Sequence, residues 1–170
     1  FAVSGILFNH ESPLRGEEFV TRKIVLGLIK ILNSDKNFIE LGNLDAIRDW
    51  GYAKEYVQFM WKMLQIKKPS DYVISTGKCY SIRDFINECT KYLKIKTKWT
   101  GKGLNEKLIN KENNRTLIKI NKKFFRAAEV NFLKGNSNKA KTDLNWKPKT
   151  ELKKLVKIMI DEETKYYKKF

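Results

Sequence analysis

The sequence predicts an α/β fold built on parallel strands. Three observations carry that expectation: a continuous apolar run at Phe1 to Phe8 with a second strand-like segment at Asp71 to Thr76, amphipathic stretches after each, and polar loops between them. Unbroken apolar strands belong to sheets covered on both faces, and their alternation with helices is the pattern of parallel strands joined by crossovers. Such folds place ligand contacts at the carboxyl ends of strands, so the junction loops are where function is expected.

The elements follow in order. Phe1 to Phe8 reads as a buried strand, with β-branched Val3 and Ile6 and no polar alternation. It stops at Asn9-His10-Glu11-Ser12-Pro13. From Glu17 to about Leu32 apolar residues recur at Phe19, Val20, Ile24, Leu28, Ile31 and Leu32, which marks an amphipathic helix with acids at its start. It is expected to end at Asn33-Ser34-Asp35. Phe38 to Gly42 is a short strand and Asn43-Leu44-Asp45 a turn. Ile47 to Gly51 then leads into a helix from Tyr52 to about Gln65, with Val57, Met60, Trp61 and Leu64 as its apolar face.

Lys67-Lys68-Pro69-Ser70 breaks the chain before the strand DYVIST (Asp71 to Thr76). Ser81 and Asp84 make a capping box for a helix to Lys94. Thr97 to Trp99 and Leu117 to Ile120 are short strands around a polar stretch expected to be a mobile surface excursion. Ser137 to Leu144 suits a short helix and Trp146-Lys147-Pro148 a turn. Glu151 to about Lys165 is a final helix with Leu152, Leu155, Val156, Met159 and Ile160 inward.

Composition narrows the class. With 170 residues, 42% of them hydrophobic, the chain can bury a core, which argues against disorder. No apolar run approaches the roughly 18 residues of a membrane span, and no basic leader precedes the first strand. The chain is therefore expected to be soluble and cytoplasmic, without membrane partners. A strand that begins at Phe1 with no cap or turn before it suggests a fragment starting inside a fold. Cys79 and Cys89 have no further Cys or His at metal spacing, so both are expected to be free thiols and no metal is expected. The net charge of +16 would suit nucleic acid, but 29 of the 35 basic residues are Lys, scattered among 14 Asn. A solvated lysine surface is the better reading, and nucleic acid is not an expected partner.

Three polar constellations carry chemistry. The first is Asn9, His10 and Arg15, where an amide and an imidazole supply directed hydrogen bonds and a guanidinium offers a fork to phosphate. The second is Gly42-Asn43 followed by Arg48-Asp49-Trp50, which projects a cation toward an anionic ligand. The third is Arg126 with Glu129, three apart on one face, suited to phosphate and ribose hydroxyls. The first two also admit a structural reading, as a satisfied structural histidine and as a surface ion pair beside a packed Trp. Tyr92 and Lys96 match a dehydrogenase YxxxK spacing but straddle a helix end, and Gly101-Lys102-Gly103 lacks a third glycine and reads as a turn.

In this order, LFNHESPLRGEEFVTRK, LGNLDAIRDWGYAKEYV, DYVISTG and FFRAAEV closely resemble the carboxyl-terminal half of GDP-mannose 4,6-dehydratases, members of the extended short-chain dehydrogenase/reductase superfamily. The resemblance covers nearly the whole chain and is weakest from Leu104 to Lys123. It implies the last strands of a Rossmann-type parallel sheet (residues 1–15 and about 66–95) plus a smaller substrate domain (about 16–65 and 96–170). It implies that His10 and Arg15 contact NADP. Asn9, Val20 and Lys23, with Gly42 and Asn43, would line the substrate nucleotide; Arg48 would hold the pyrophosphate, and Arg126 with Glu129 the pyrophosphate and ribose.

The implied reaction oxidises the mannose 4-hydroxyl with NADP, eliminates water across carbons 5 and 6 and returns the hydride to carbon 6, giving GDP-4-keto-6-deoxymannose. The Thr or Ser, Glu, Tyr and Lys that such chemistry uses are expected upstream, in an intact homodimer or homotetramer. The alternatives are another NAD(P)-dependent nucleotide-sugar epimerase or dehydratase, or a basic nucleic-acid-binding protein. Two positions depart from the family pattern: Leu14 stands where many relatives carry Arg, and Ala127 where Pro usually follows the FR pair.

Overall fold

The two apolar runs pair as the α/β pattern requires. In the computed structural model, which describes residues 1–33, 37–125, 128 and 130–167, β1 (Gly5–Leu7) runs parallel to the strand at Tyr72–Ile74, with Gly5 opposite Tyr72. The elements in chain order are β1, β2 (His10–Glu11), α1 (Val20–Leu32), β3 (Ile39–Leu41), β4 (Ile47–Arg48), β5 (Gly51–Tyr52), α2 (Ala53–Met63) and β6 (Tyr72–Ile74). Then come β7 (Tyr80–Ser81), α3 (Ile82–Tyr92), β8 (Thr97–Thr100), β9 (Lys107–Asn110), β10 (Thr116–Ile120), β11 (Phe132–Leu133), α4 (Asn138–Leu144) and α5 (Leu152–Tyr167).

These strands form four small sheets among the described residues: β1-β6, β2-β5, β11-β4-β7 and β3-β10-β9-β8. The pairs β1-β6, β2-β5, β4-β11 and β3-β10 are parallel. The pair β4-β7 is antiparallel, with Ile47 opposite Ser81, and the stretch expected to be a mobile excursion is a packed antiparallel ladder instead. There β9 pairs with β8, setting Trp99 opposite Leu108, and with β10, setting Ile118 opposite Leu108. Reading the sequence missed β9 because Lys107-Leu108-Ile109-Asn110 is too short to show alternation; Leu108 is nevertheless fully buried and anchors the ladder.

Two hydrophobic clusters hold the fold. The larger joins α1, α3 and α5 with β3, β9 and β10 around Ile24, Leu28, Ile39, Phe85, Ile118 and Leu155. The expected inward face of α5 is buried at all five positions, and each such side chain contributes roughly 1.5–3 kcal/mol. The smaller gathers Tyr56, Phe59, Met63, Tyr72, Ile74, Ala140 and Trp146, with Val3 and Leu7 packed against it. Trp146 meets Tyr56 and Phe59 edge to face at centroid distances of 5.9 and 5.3 Å.

Local expectations fare unevenly. The capping box is present: Ser81 Oγ accepts from the Asp84 backbone N–H at 3.0 Å while the Ser81 N–H donates to Asp84 Oδ2 at 2.8 Å. Cys79 and Cys89 are free thiols. Tyr92 spends its hydroxyl on Asp161 at 2.5 Å, and Lys96 pairs with Glu112, so they form no catalytic couple. Helix α1 begins at Val20, not Glu17, because residues 16–19 close a turn in which the Phe19 N–H donates to the Gly16 carbonyl.

Two burial expectations are corrected. The face of α2 that packs inward is Tyr56, Phe59 and Met63; Val57, Met60, Trp61 and Leu64 face outward, with Trp61 63% exposed. This helix is apolar on two faces, and the aromatic one wins because Trp146 and Tyr72 are there to receive it. Strand β1 is not buried on both faces either: Ile6 is 57% exposed, since β6 is its one partner and only Leu7 turns into the smaller cluster.

Candidate functional site

Strand parity organises the first constellation. Consecutive side chains on a strand point to opposite faces, so β2 sends His10 and Glu11 in different directions. His10 stacks on Tyr56 of α2, with ring centroids 5.0 Å apart. Its Nδ1 lies 2.8 Å from the Phe8 carbonyl oxygen. A carbonyl can only accept, so Nδ1 carries the proton and Nε2 is left as the second ring nitrogen. Glu11 turns the other way and is buried under α1, where Thr21 Oγ1 donates to its Oε2 at 2.5 Å.

The loop between them closes tightly. The Arg15 N–H donates to the Ser12 carbonyl, and the Leu14 N–H to Ser12 Oγ. This folds the guanidinium of Arg15 back onto the Phe19 ring, 3.6 Å from its centroid, and brings Nε to 3.5 Å from Glu11 Oε2. Leu14 is 89% exposed and touches no part of the site.

A cavity of about 450 Å³ opens beside this loop, between α1, the end of β3, β4 and residues 123–125. Asn9, Arg15, Val20, Lys23, Gly42, Asn43 and Arg48 all line it, although they span forty positions of sequence. Its wall carries four cations, Arg15, Lys23, Arg48 and Lys123, against two acids, Glu11 and Glu18. That excess of positive charge suits an anionic ligand. Phe19, Phe124 and Phe125 add half-exposed rings, and Lys23 Nζ sits 3.6 Å over the Phe124 centroid.

Backbone demands explain several of these positions. A Cβ on Gly42 would lie 2.2 Å from the Phe124 carbonyl oxygen, so only glycine lets the 122–125 turn cross the end of β3. Asn43 Oδ1 accepts from the Asp45 N–H, making the expected turn. Arg48 does not pair with its neighbour as a surface ion pair would: Asp49 is fully buried and accepts from the Thr76 N–H and hydroxyl and the Gly77 N–H at 2.6 to 2.8 Å. Asp49 thus locks the end of β6 to the start of β5, and leaves Arg48 at the cavity wall.

A second cavity, about 370 Å³, lies against Ile6, Leu7, Phe8 and Leu133, with Asn9, His10 and Arg15 as its polar side. Asn9 and Arg15 therefore belong to both cavities. Arg126, Ala127 and Glu129 lie outside the described residues. Reading the sequence missed Glu11, Thr21, Phe19 and Phe124. The strand parity of His10 and Glu11 could have flagged the first; the others are set by how α1 and the 122–125 turn close over the loop. Among the described residues no group of His, Cys, Asp and Glu could hold a metal, and no helix is long and apolar enough to cross a membrane.

The sequence profile of GDP-mannose 4,6 dehydratase matches residues 1–159. The chain belongs to the GDP-mannose 4,6 dehydratase family. Family members of this name from Drosophila melanogaster and Homo sapiens are 45% and 47% identical to it over 169 and 160 residues, covering 99% and 94% of the chain. One from Vibrio cholerae is 43% identical. The chain spans 43%, 43% and 46% of the length of these three relatives.

Solved structures show the same fold at lower identity. RMD from Pseudomonas aeruginosa complexed with NADPH superposes with a TM-score of 0.74 at 15% identity, over 95% of this chain and 47% of that one. A UDP-glucuronic acid 4-epimerase from Bacillus cereus, in complex with UDP-glucuronic acid and NAD, gives 0.73 at 18%, over 97% and 46%. This GDP-mannose 4,6 dehydratase family member thus shares the mixed α/β fold of these two structures.

Proposed function

We propose that this chain is the nucleotide-sugar-gripping half of a GDP-mannose 4,6-dehydratase, which in the intact protein converts GDP-mannose to GDP-4-keto-6-deoxymannose with internally recycled NADP. The observation that carries the reading is the meeting of Asn9, Val20, Lys23, Gly42, Asn43 and Arg48 in one cation-rich cavity of about 450 Å³. Lys23 and Arg48 suit the diphosphate, and Asn9 and Asn43 suit hydroxyls or base edges. Arg126 and Glu129 enter by resemblance alone.

NADP fits the second cavity. Apolar Ile6, Leu7 and Leu133 can cover a planar ring, while His10 and Arg15 offer a directed ring nitrogen and a guanidinium. When bound, the dinucleotide supplies the hydride acceptor and donor. The residues here bind and orient: Asn9 and Arg15 lie in the wall shared by both cavities, with Arg15 turned to the dinucleotide, so the two ligands would lie side by side. In this reading residues 1–15 and about 66–95 complete an NADP-binding domain, residues 16–65 and 96–170 form the sugar domain, and the intact enzyme is a cytoplasmic homodimer or homotetramer.

Calorimetry on the full-length protein tests the reading, with GDP-mannose set against UDP- and dTDP-sugars. Micromolar binding confined to GDP-mannose is expected. A preference for a UDP- or dTDP-sugar would instead favour the related epimerase or dehydratase. The 170 residues alone are expected to show no turnover of GDP-mannose.

A further inference from the structure

Glu11 is the one carboxylate in the wall of the larger cavity that is almost wholly buried, at 2% exposure. Two groups hold the same oxygen: Thr21 Oγ1 donates to Oε2 at 2.5 Å, and Arg15 Nε lies 3.5 Å from it. Burial pushes its pKa above the usual carboxylate range, outweighing the opposing influence of Thr21, Arg15 and His10. A carboxylate kept there works against stability, and a neutral amide could accept from Thr21 equally well. What only the carboxylate adds is charge beside Arg15.

Arg15 is the residue that this charge can serve. Phe19 covers the face of its guanidinium and Glu11 stands at its Nε edge, while Nε itself is enclosed and makes no hydrogen bond. Among the described residues its two terminal nitrogens make none either. A guanidinium fixed on one face and one edge, with its fork unspent, is arranged for a ligand. It stands where the two cavities share a wall.

We propose that Glu11 is a positioning residue, which holds Arg15 in the shared wall with its fork turned to an anionic dinucleotide. This rests on the reading that Arg15 contacts NADP. It asks more than that reading, because it assigns the orientation of Arg15 to a residue that does not line the cavity read as the dinucleotide's.

The test uses the full-length protein with Glu11→Gln and Thr21→Val, titrated separately with NADPH and GDP-mannose and followed by thermal unfolding. Glu11→Gln keeps the acceptor for Thr21 and removes the charge. It is expected to weaken NADPH roughly tenfold, the scale of one orienting charge-assisted contact, to change GDP-mannose affinity by less than about threefold, and to leave the thermal midpoint unchanged or raised. Thr21→Val, which untethers the carboxylate, is expected to weaken NADPH by a few-fold, and decides the matter if Glu11→Gln does not fold. Unchanged NADPH affinity overturns the proposal. So does a lowered midpoint with both ligands weakened alike, which marks a structural role. Wild-type protein that binds no NADPH sinks the underlying reading and this proposal with it, whereas wild-type binding with indifferent variants sinks the proposal alone.

Discussion

The Cβ that Gly42 lacks would stand 2.2 Å from the carbonyl oxygen of Phe124. One missing methyl therefore lets the 122–125 turn close one side of the cation-rich cavity and seat the Phe124 ring beneath Lys23. Gly42→Ala is expected to displace that turn, destabilising the fold by about 1–3 kcal/mol as overpacking does. In the full-length protein it should also weaken GDP-mannose binding. Parallel denaturation and calorimetry check this; retained affinity would show that the turn does not shape the site.

Arg48 lies at the cavity wall because Asp49, its neighbour, is committed elsewhere. Arg48→Ala in the full-length protein is expected to weaken GDP-mannose by roughly 10- to 100-fold, as loss of a charge-assisted contact would, with little change in thermal midpoint. Asp49→Ala is expected to do the opposite. It strands the part-buried donors of Thr76 and Gly77 and should cost about 1–3 kcal/mol of stability. Reversed outcomes for the two variants would refute this division of labour.

Glu163 of α5 meets Arg22 of α1 at 2.7 Å, both largely buried. Burial raises the Glu163 pKa, outweighing the pull of Arg22. The sign follows: when both folded and unfolded states are protonated there is no difference, and as pH rises past the usual carboxylate value the unfolded state ionises first while the folded state still holds its proton, which favours unfolding. Wild-type protein should therefore lose stability relative to Glu163→Gln as pH rises from about 4 toward 7. Arg22→Ala, which leaves the charge unpaired, should cost about 3–5 kcal/mol at neutral pH and less under acid. Urea unfolding across that range checks both. A gap between wild type and Glu163→Gln that narrows as pH rises would contradict the assignment.

The outward face of α2 presents Val57, Met60, Trp61 and Leu64 together, with Ile6 of β1 also exposed. The 170 residues in isolation are expected to bind a hydrophobic dye and to self-associate, and Trp61→Lys should reduce both without unfolding the chain. Full-length protein in which other residues pack on this face should instead lose about 2 kcal/mol or more of stability on the same change. Chromatography and dye fluorescence of the two forms distinguish these outcomes.

Much of the scaffold was legible from local pattern. The Ser81 and Asp84 capping box and the inward face of α5 appear where spacing puts them, because helix ends and helix faces depend on residues three and four apart. Periodicity failed on α2, which carries two apolar faces, since a pattern says that a face is apolar and not which partner it will find. It failed on β9 because four residues hold too little alternation to register. At the site, the residue types of Asn9, Lys23 and Arg48 marked places where an anionic ligand could be met, but Glu11 drew no notice, being one acid among nineteen acidic residues.

Residue order and type alone settled the kind of fold, the family to which the chain belongs and several of the side chains that surround the cavity, because these follow from short-range periodicity and from motifs contiguous in sequence. The meeting of Asn9, Lys23, Arg48 and the Phe124 turn in one wall was decided only in three dimensions. So were the burial of Glu11 between Thr21 and Arg15 and the face of α2 that turns inward. Each of these depends on which distant segments exclude water from one another, and that choice is made by packing rather than by any spacing along the chain.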